Sequence, residues 1–215
     1  MFHPGALCFM LPLYSSTDVN LFSIGQGSNY PMDALEALHY RRSYPRLDGP
    51  VPSDKILQNI YKAAIRAADH ALLKPWRFLV VQGESRNRLG DLFVEAARAD
   101  DAHVDEAKIA KLRSKPLRAP LLLVSISSQQ EHLKVPPIEQ DLSAAAATQN
   151  MLTAAYAQGI GAIWRTGSMA YHPSIEKGLG LRNNEKIIGF IYIGNIRGSE
   201  KKLLDTNPND YFQDW

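Results

Sequence analysis

The chain has 215 residues, of which 45% are hydrophobic and 21% are charged, a balance typical of an ordinary globular protein. A net charge of +2, with the basic residues scattered, gives no electrostatic reason to expect a nucleic-acid partner. The single cysteine, Cys8, excludes an intramolecular disulfide framework, and no apolar run approaches the length of a membrane span. We therefore expect a cytoplasmic protein that does not enter the membrane.

The first 31 residues differ in composition from the rest. Pro4 and Pro12 interrupt a moderately apolar stretch that lacks Lys and Arg, which argues against a secretory signal. Residues 15–31 are rich in Ser, Asn and Gly, a loop composition. We expect residues 1–31 to be an extension upstream of a single domain at 32–215. The alternative is an arm that packs on that domain through its Leu and Phe side chains.

The first well-patterned helix is predicted at residues 32–39. Leu35 and Leu38 are spaced to share one face, which is predicted to pack against the core. Arg41, Arg42 and Ser43 follow directly, and two guanidinium groups beside a hydroxyl suit a phosphate. Taken alone, however, two arginines after a helix are more simply explained as charges that offset its dipole.

Helices and strands then alternate along the chain. Further helices are predicted at 54–68, 85–99, 100–115, 138–158 and 173–178, and strands at 76–81, 120–127, 161–167 and 186–194. The strand at 76–81 is predicted to be buried on both faces or nearly so. The small residues from Ser143 to Thr148 predict a central helix, with a subunit interface as one role for it. Strands separated by helices indicate an α+β or α/β domain, and no Gly-rich dinucleotide fingerprint follows any strand.

The sequence offers little support for several kinds of catalytic chemistry. Its six histidines are dispersed without metal-ligand spacing, and a Gly-x-Ser-x-Gly nucleophile elbow is missing. What remains is a set of Arg, Ser, Thr, His, Trp and Gly residues at loop edges. Such a set suits a bulky anionic cofactor that carries the reaction while the protein positions it.

Four segments together resemble the nitroreductase family of FMN-dependent oxidoreductases, and most closely its short bacterial NAD(P)H nitroreductase branch. They are Arg41 to Ser43, Arg66 to His70 leading into Pro75 to Phe78, Ala154 to Gly159, and Ile163 to Gly167. The resemblance covers residues 32 to about 198. It implies an α+β fold with a central, mainly antiparallel sheet of four to five strands flanked by helices, in an intertwined homodimer.

The resemblance also implies roles for individual residues. Arg41, Arg42 and Ser43 match the segment that holds the FMN phosphate and ribityl chain, and Arg66 and His70 match positions that reach the flavin of the other subunit. Trp164, Arg165 and Thr166 match the segment that lines the flavin from the far side. The stretch matched to the NAD(P) nucleotide comprises Ala154, Ala155, Tyr156, Ala157, Gln158 and Gly159. A helix end packed through small residues is the equally good alternative for that stretch.

The function implied is an FMN-dependent NAD(P)H oxidoreductase. NADH or NADPH would deliver hydride to FMN and leave, and a nitro compound, quinone or similar small-molecule acceptor would take its place, which gives ping-pong kinetics. Arg66 or Arg165 would favour the reduced, anionic flavin. The alternatives are a flavin-binding sensor or carrier without turnover, and a nucleic-acid module built on Arg41, Arg42 and residues 108–115, against which the net charge argues.

Overall fold

The computed structural model describes residues 32–199 and 202–215, so the predictions for residues 1–31 fall outside the described part. Six helices occur there: α1 (Ala34–Tyr40), α2 (Asp54–Ala64), α3 (Glu84–Asp100), α4 (Glu106–Ser114), α5 (Pro137–Tyr156) and α6 (Pro173–Gly178). The strands are β1 (Leu47–Asp48), β2 (Trp76–Gln82), β3 (Leu121–Ser128), β4 (Gly161–Arg165) and β5 (Glu185–Ile196).

The strands form one sheet in which every pairing is antiparallel. The order is β1-β5-β3-β2, and β4 also pairs with β5. With 12 residues, β5 is long enough to pair with three other strands. The prediction of an α+β fold around a mainly antiparallel sheet is confirmed.

Each face of the sheet carries its own hydrophobic core because successive strand residues point to opposite sides. On β3, Leu122 and Val124 face a core shared with α3, α4 and α6, whereas Leu121 and Leu123 face a core shared with α2 and α5. This alternation explains why β3 reads as an unbroken apolar run. Both of its faces are buried, as is usual for a strand between two helical layers.

Two predictions about burial were wrong. The strand β2 lies at the edge of the sheet and is only partly covered, with Val80 exposed. On α1, Leu35 and Leu38 are 61% and 59% exposed, while the smaller Ala37 is buried. The helical spacing placed the leucines correctly relative to each other, but no surface in the part of the protomer that the structure describes covers them.

Helix ends differ from the predicted ones where local turns compete with the helix. α2 stops at Ala64 because the Arg66 and Ala67 amides bond three residues back, to the carbonyls of Ala63 and Ala64. α4 starts only at Glu106, after the Asp105 carboxylate caps the amide of Lys108.

The small-residue centre of α5 does pack closely. Ala144, Ala147 and Thr148 are buried, and the Thr148 hydroxyl lies 2.7 Å from the Ser125 hydroxyl on β3. Of the helices in the described residues, none is both long and apolar enough to cross a membrane. The C-terminal residues 202–215 include one short 3₁₀ turn, and Tyr211, Phe212 and Trp215 are exposed.

Candidate functional site

A half-open cavity of about 400 Å³ lies where β4 ends. Residues 164–167 form one part of its lining, and the buried side chains of Phe93, Met169, Phe190 and Tyr192 form the apolar part. Lys115 and Arg118 complete it from the 3₁₀ turn that follows α4. Among the described residues, the lining holds three cationic side chains and no carboxylate.

The end of β4 is shaped by one close contact and one turn. The Trp164 indole lies across Gly189 of β5 and donates a hydrogen bond to the carbonyl of Ile188 at 3.1 Å. A Cβ at position 189 would overlap that indole, so only glycine leaves room for it. Gly167 then turns the chain with φ 86°, in the left-handed region that favours glycine. Both features fix the backbone of Arg165 and Thr166 at the cavity.

The cavity is electrostatically unusual because none of its three cations forms an ion pair with a carboxylate of the described residues. The Arg165 guanidinium lies 5.7 Å from the centre of the Tyr192 ring, a cation–π arrangement. Its Nε is buried without a hydrogen-bond acceptor among residues 32–199 and 202–215. Burial lowers the pKa of Lys115, and the charges of Arg118 and Lys111 lower it further. Burial also raises the pKa of the Tyr192 phenol, against the opposing effects of Arg165 and Arg118.

Arg41, Arg42 and Ser43 lie beside the other end of β4 and do not line the cavity. The buried Tyr44 holds them there, since its amide donates to the Ala162 carbonyl at 3.1 Å. Ala162 and Arg165 are three residues apart on a strand, which corresponds to about 10 Å. The two segments therefore lie toward opposite ends of one strand, and an elongated ligand beside β4 would contact both.

Arg66 and His70 are exposed residues after α2, and neither lines the cavity. The His70 Nδ1 lies 2.6 Å from a carboxylate oxygen of Glu139 in the first turn of α5. The following loop contains residues with positive φ at Ala71, Leu72 and Lys74. Arg66 and His70 therefore do not join residues 164–167 in the lining of this cavity.

The stretch matched to NAD(P) ends α5 and packs against α2. Ala155 and Tyr156 are buried. The Gln158 amide donates to the carbonyls of Ile56 and Ala154 and accepts a hydrogen bond from Asn59 at 2.8 Å. These contacts fit the packing alternative, and a role in binding the nucleotide stays a prediction.

Sequence reasoning missed most of the cavity lining. Lys115 was assigned to the helix predicted at 100–115, and Tyr192 to the strand predicted at 186–194. The six lining residues that no prediction assigned to a site are Phe93, Lys115, Arg118, Met169, Phe190 and Tyr192. They come from four separate elements, so only the folded arrangement shows that they converge. In the part of the chain that the structure describes, no group of three or more His, Cys, Asp or Glu side chains is arranged to hold a metal ion.

Comparison with known proteins places this arrangement in a family. The nitroreductase family model matches residues 38–195, which is well over half of the chain. The chain belongs to the nitroreductase family. "Putative NAD(P)H nitroreductase YdjA" of Escherichia coli K12 is 44% identical over 163 residues, covering 76% of this chain and 88% of that protein.

Solved structures of nitroreductases share the fold. A nitroreductase-like protein from Bacillus cereus aligns with a TM-score of 0.72 at 22% identity, over 87% of this chain and 98% of the other. A nitroreductase with bound FMN from Bacteroides fragilis aligns with a TM-score of 0.64 at 20% identity, over 85% and 98%. At such identities the likeness concerns the fold alone.

Proposed function

We propose that this nitroreductase is an FMN-dependent NAD(P)H oxidoreductase that reduces nitro compounds, quinones or similar electron-poor acceptors. The observation that carries the proposal is the pair of segments flanking β4, with a hydroxyl and two arginines at its start and an aromatic, cationic cavity at its end. A long molecule with an anionic tail and a flat ring matches that layout. The family of the chain and the FMN in a fold neighbour support this choice.

The residues present fit FMN by their chemistry. Arg41, Arg42 and Ser43 would hold the phosphate, because guanidinium groups and a hydroxyl satisfy its oxygens by charge-assisted hydrogen bonds. Trp164, Arg165 and Thr166 would lie along the flavin, and Arg165 retains a buried Nε–H that lacks an acceptor within the described residues. A flavin carbonyl or ring nitrogen would supply such an acceptor.

When bound, FMN supplies the centre that accepts and returns hydride. Reduction of a nitro group to nitroso then consumes one NAD(P)H and one proton and releases one water. The protein contributes orientation and charge in this scheme. The Arg165 guanidinium, held against the Tyr192 ring, would stabilise negative charge that develops on the reduced ring system.

We further propose that the active unit is a homodimer with composite sites. Leu35 and Leu38 on α1 and Leu142 on α5 are exposed here, as is the aromatic C-terminal segment, and a second copy would cover such apolar surface. Arg66 and His70 are exposed and do not line the cavity of their own chain, so we assign them to the flavin of the neighbouring subunit. The resemblance described above motivates that assignment.

The absorption spectrum of the purified protein tests the proposal. We expect the two flavin bands, released by heat or acid because the cofactor is not covalently linked, and bleached by NADPH or NADH without air. A protein that stays colourless after incubation with FMN would refute the proposal. Bound flavin that neither nucleotide reduces would instead favour the sensor or carrier.

A further inference from the structure

Lys115, Arg118 and Arg165 form a cluster of three cations at the β4 cavity, here called the cationic cluster. No ion pair among the described residues involves any of the three, whereas Arg77, Arg113 and Arg182 all pair with carboxylates. Lys115, Arg118 and Arg165 all line this one cavity, and the charge of Arg118 acts to lower the pKa of both Lys115 and Tyr192. Like charges that converge without a counter-ion repel one another, and an added anion relieves that repulsion.

The proposed cofactor does not supply that anion. Its phosphate is assigned to Arg41, Arg42 and Ser43, which do not line this cavity. Its oxidised ring system is neutral and needs no more than one guanidinium beside it. The charges of Lys115 and Arg118 are therefore left for another ligand, and these residues come from a different element than residues 164–167.

The aromatic and apolar residues of the lining indicate the shape and polarity of the rest of the ligand. Phe93 and Phe190 are buried and meet edge to face, with ring centres 5.5 Å apart, and Met169 and Tyr192 extend this apolar surface. Aromatic side chains beside cations are suited to bind a ligand with a flat apolar ring and one negatively charged group.

We infer that the cationic cluster is a specificity subsite that selects electron acceptors bearing an aromatic carboxylate, and this rests on the proposed function. The carboxylate would bind between Lys115 and Arg118, and the ring would lie on the aromatic lining beside residues 164–167. Neutral acceptors of the same shape would enter the cavity without the charge-assisted contacts.

Calorimetry with benzoate and with benzamide tests the subsite without turnover. The purified FMN-loaded protein should bind benzoate more tightly than benzamide, and Lys115→Ala or Arg118→Ala should weaken benzoate binding by about 5- to 20-fold, the loss expected for a charge-assisted contact at a partly exposed site. Lys111→Ala is the matched control, because this exposed lysine on α4 carries the same charge but does not line the cavity. Arg118→Lys should restore part of the affinity. Equal losses in Lys111→Ala and Lys115→Ala would overturn the subsite.

Steady-state kinetics then identify the ligand that uses the subsite. In Lys115→Ala and Arg118→Ala, kcat/KM for nitrobenzoate should fall by about the same 5- to 20-fold, because KM rises while kcat is unchanged. For nitrobenzamide, kcat/KM should stay within about twofold of the wild-type value. The contrary outcome is that the variants lower kcat/KM for NADPH relative to NADH while leaving the ratio of kcat/KM for nitrobenzoate and nitrobenzamide unchanged. That result would overturn the inference, since the anion bound by the subsite would then be the nucleotide phosphate. Loss of bound flavin in these variants would also overturn it. Selective benzoate binding by a protein that oxidises no NAD(P)H would refute the oxidoreductase proposal while leaving the anion subsite intact.

Discussion

Acidification should destabilise the fold through one buried carboxylate, Glu185 at the start of β5. Its side chain is 0% exposed and accepts two hydrogen bonds from Arg77 of β2, from Nε at 3.0 Å and from Nη2 at 2.6 Å. The Arg182 amide donates a third at 2.9 Å. The hydrogen bonds from Arg77 are the main reason that the pKa of Glu185 falls from 4.5 to about 2, against the opposing effect of burial.

The sign and size of the effect follow from that shift. Because the folded state lowers this pKa, the stabilisation is complete above about pH 5 and is lost as the pH falls toward 2. A shift from 4.5 to about 2 corresponds to about 3 kcal/mol in the free energy of unfolding. About two-thirds of it is gone at about pH 3, where Glu185 is protonated in the unfolded chain and still mostly ionised in the folded one.

Urea denaturation of wild type and Glu185→Gln at about pH 7 and about pH 3 measures this contribution. Wild type should be more stable by about 2–4 kcal/mol at neutral pH, because the variant leaves the Arg77 guanidinium without its partner. The gap should narrow by about 2 kcal/mol at the lower pH. Asp91→Asn is the control, since the Asp91–Arg113 pair is 54% exposed on both sides and should contribute less than about 1 kcal/mol. A gap of the same size at both pH values would refute the reasoning.

Three further predictions concern the cofactor site and the dimer. Arg41→Ala should raise the FMN dissociation constant by about 10-fold or more with little change in the thermal melt of the apo-protein, because it removes a charge-assisted contact to phosphate; unchanged flavin affinity would return Arg41 to the role of a helix-end charge. Mixing chains that carry Arg41→Ala with chains that carry Arg66→Ala should restore activity, because each heterodimer would contain one intact composite site. Heterodimers without activity would place the whole site within one chain. Leu142→Glu should convert the dimer to a monomer in light scattering. Leu133→Glu should not, although this loop leucine is more exposed, at 99% against 61% for Leu142. Dissociation by both variants or by neither would contradict the proposed interface.

The sequence predicted the fold well where the pattern of apolar residues is decisive. Strand β3 and helices α3 and α5 were placed to within one or two residues, since each forms a long run with a clear period. The strand β1 has two residues, too few for any pattern, and it forms only because β5 extends far enough to pair with it.

The site was less predictable because it depends on contacts between distant parts of the chain. Sequence similarity pointed to residues 164–166, which the structure does place at the cavity. Lys115 and Arg118 gave no usable signal, because a lysine and an arginine after a charged helix look like ordinary surface residues. Likewise, no local pattern shows whether Leu35 is covered, since that depends on a neighbouring surface and not on helical spacing.

The central position of β5 has a consequence for how the protein is made on the ribosome. β5 is the last strand in the chain, yet β1, β3 and β4 all pair with it. The sheet therefore cannot close until residue 196 has left the exit tunnel. Until then the nascent chain exposes the apolar edge of β3 and the unpaired β4, which are the surfaces that aggregate in incomplete chains. Premature termination even shortly before β5 should thus yield an insoluble product and not a partly active one.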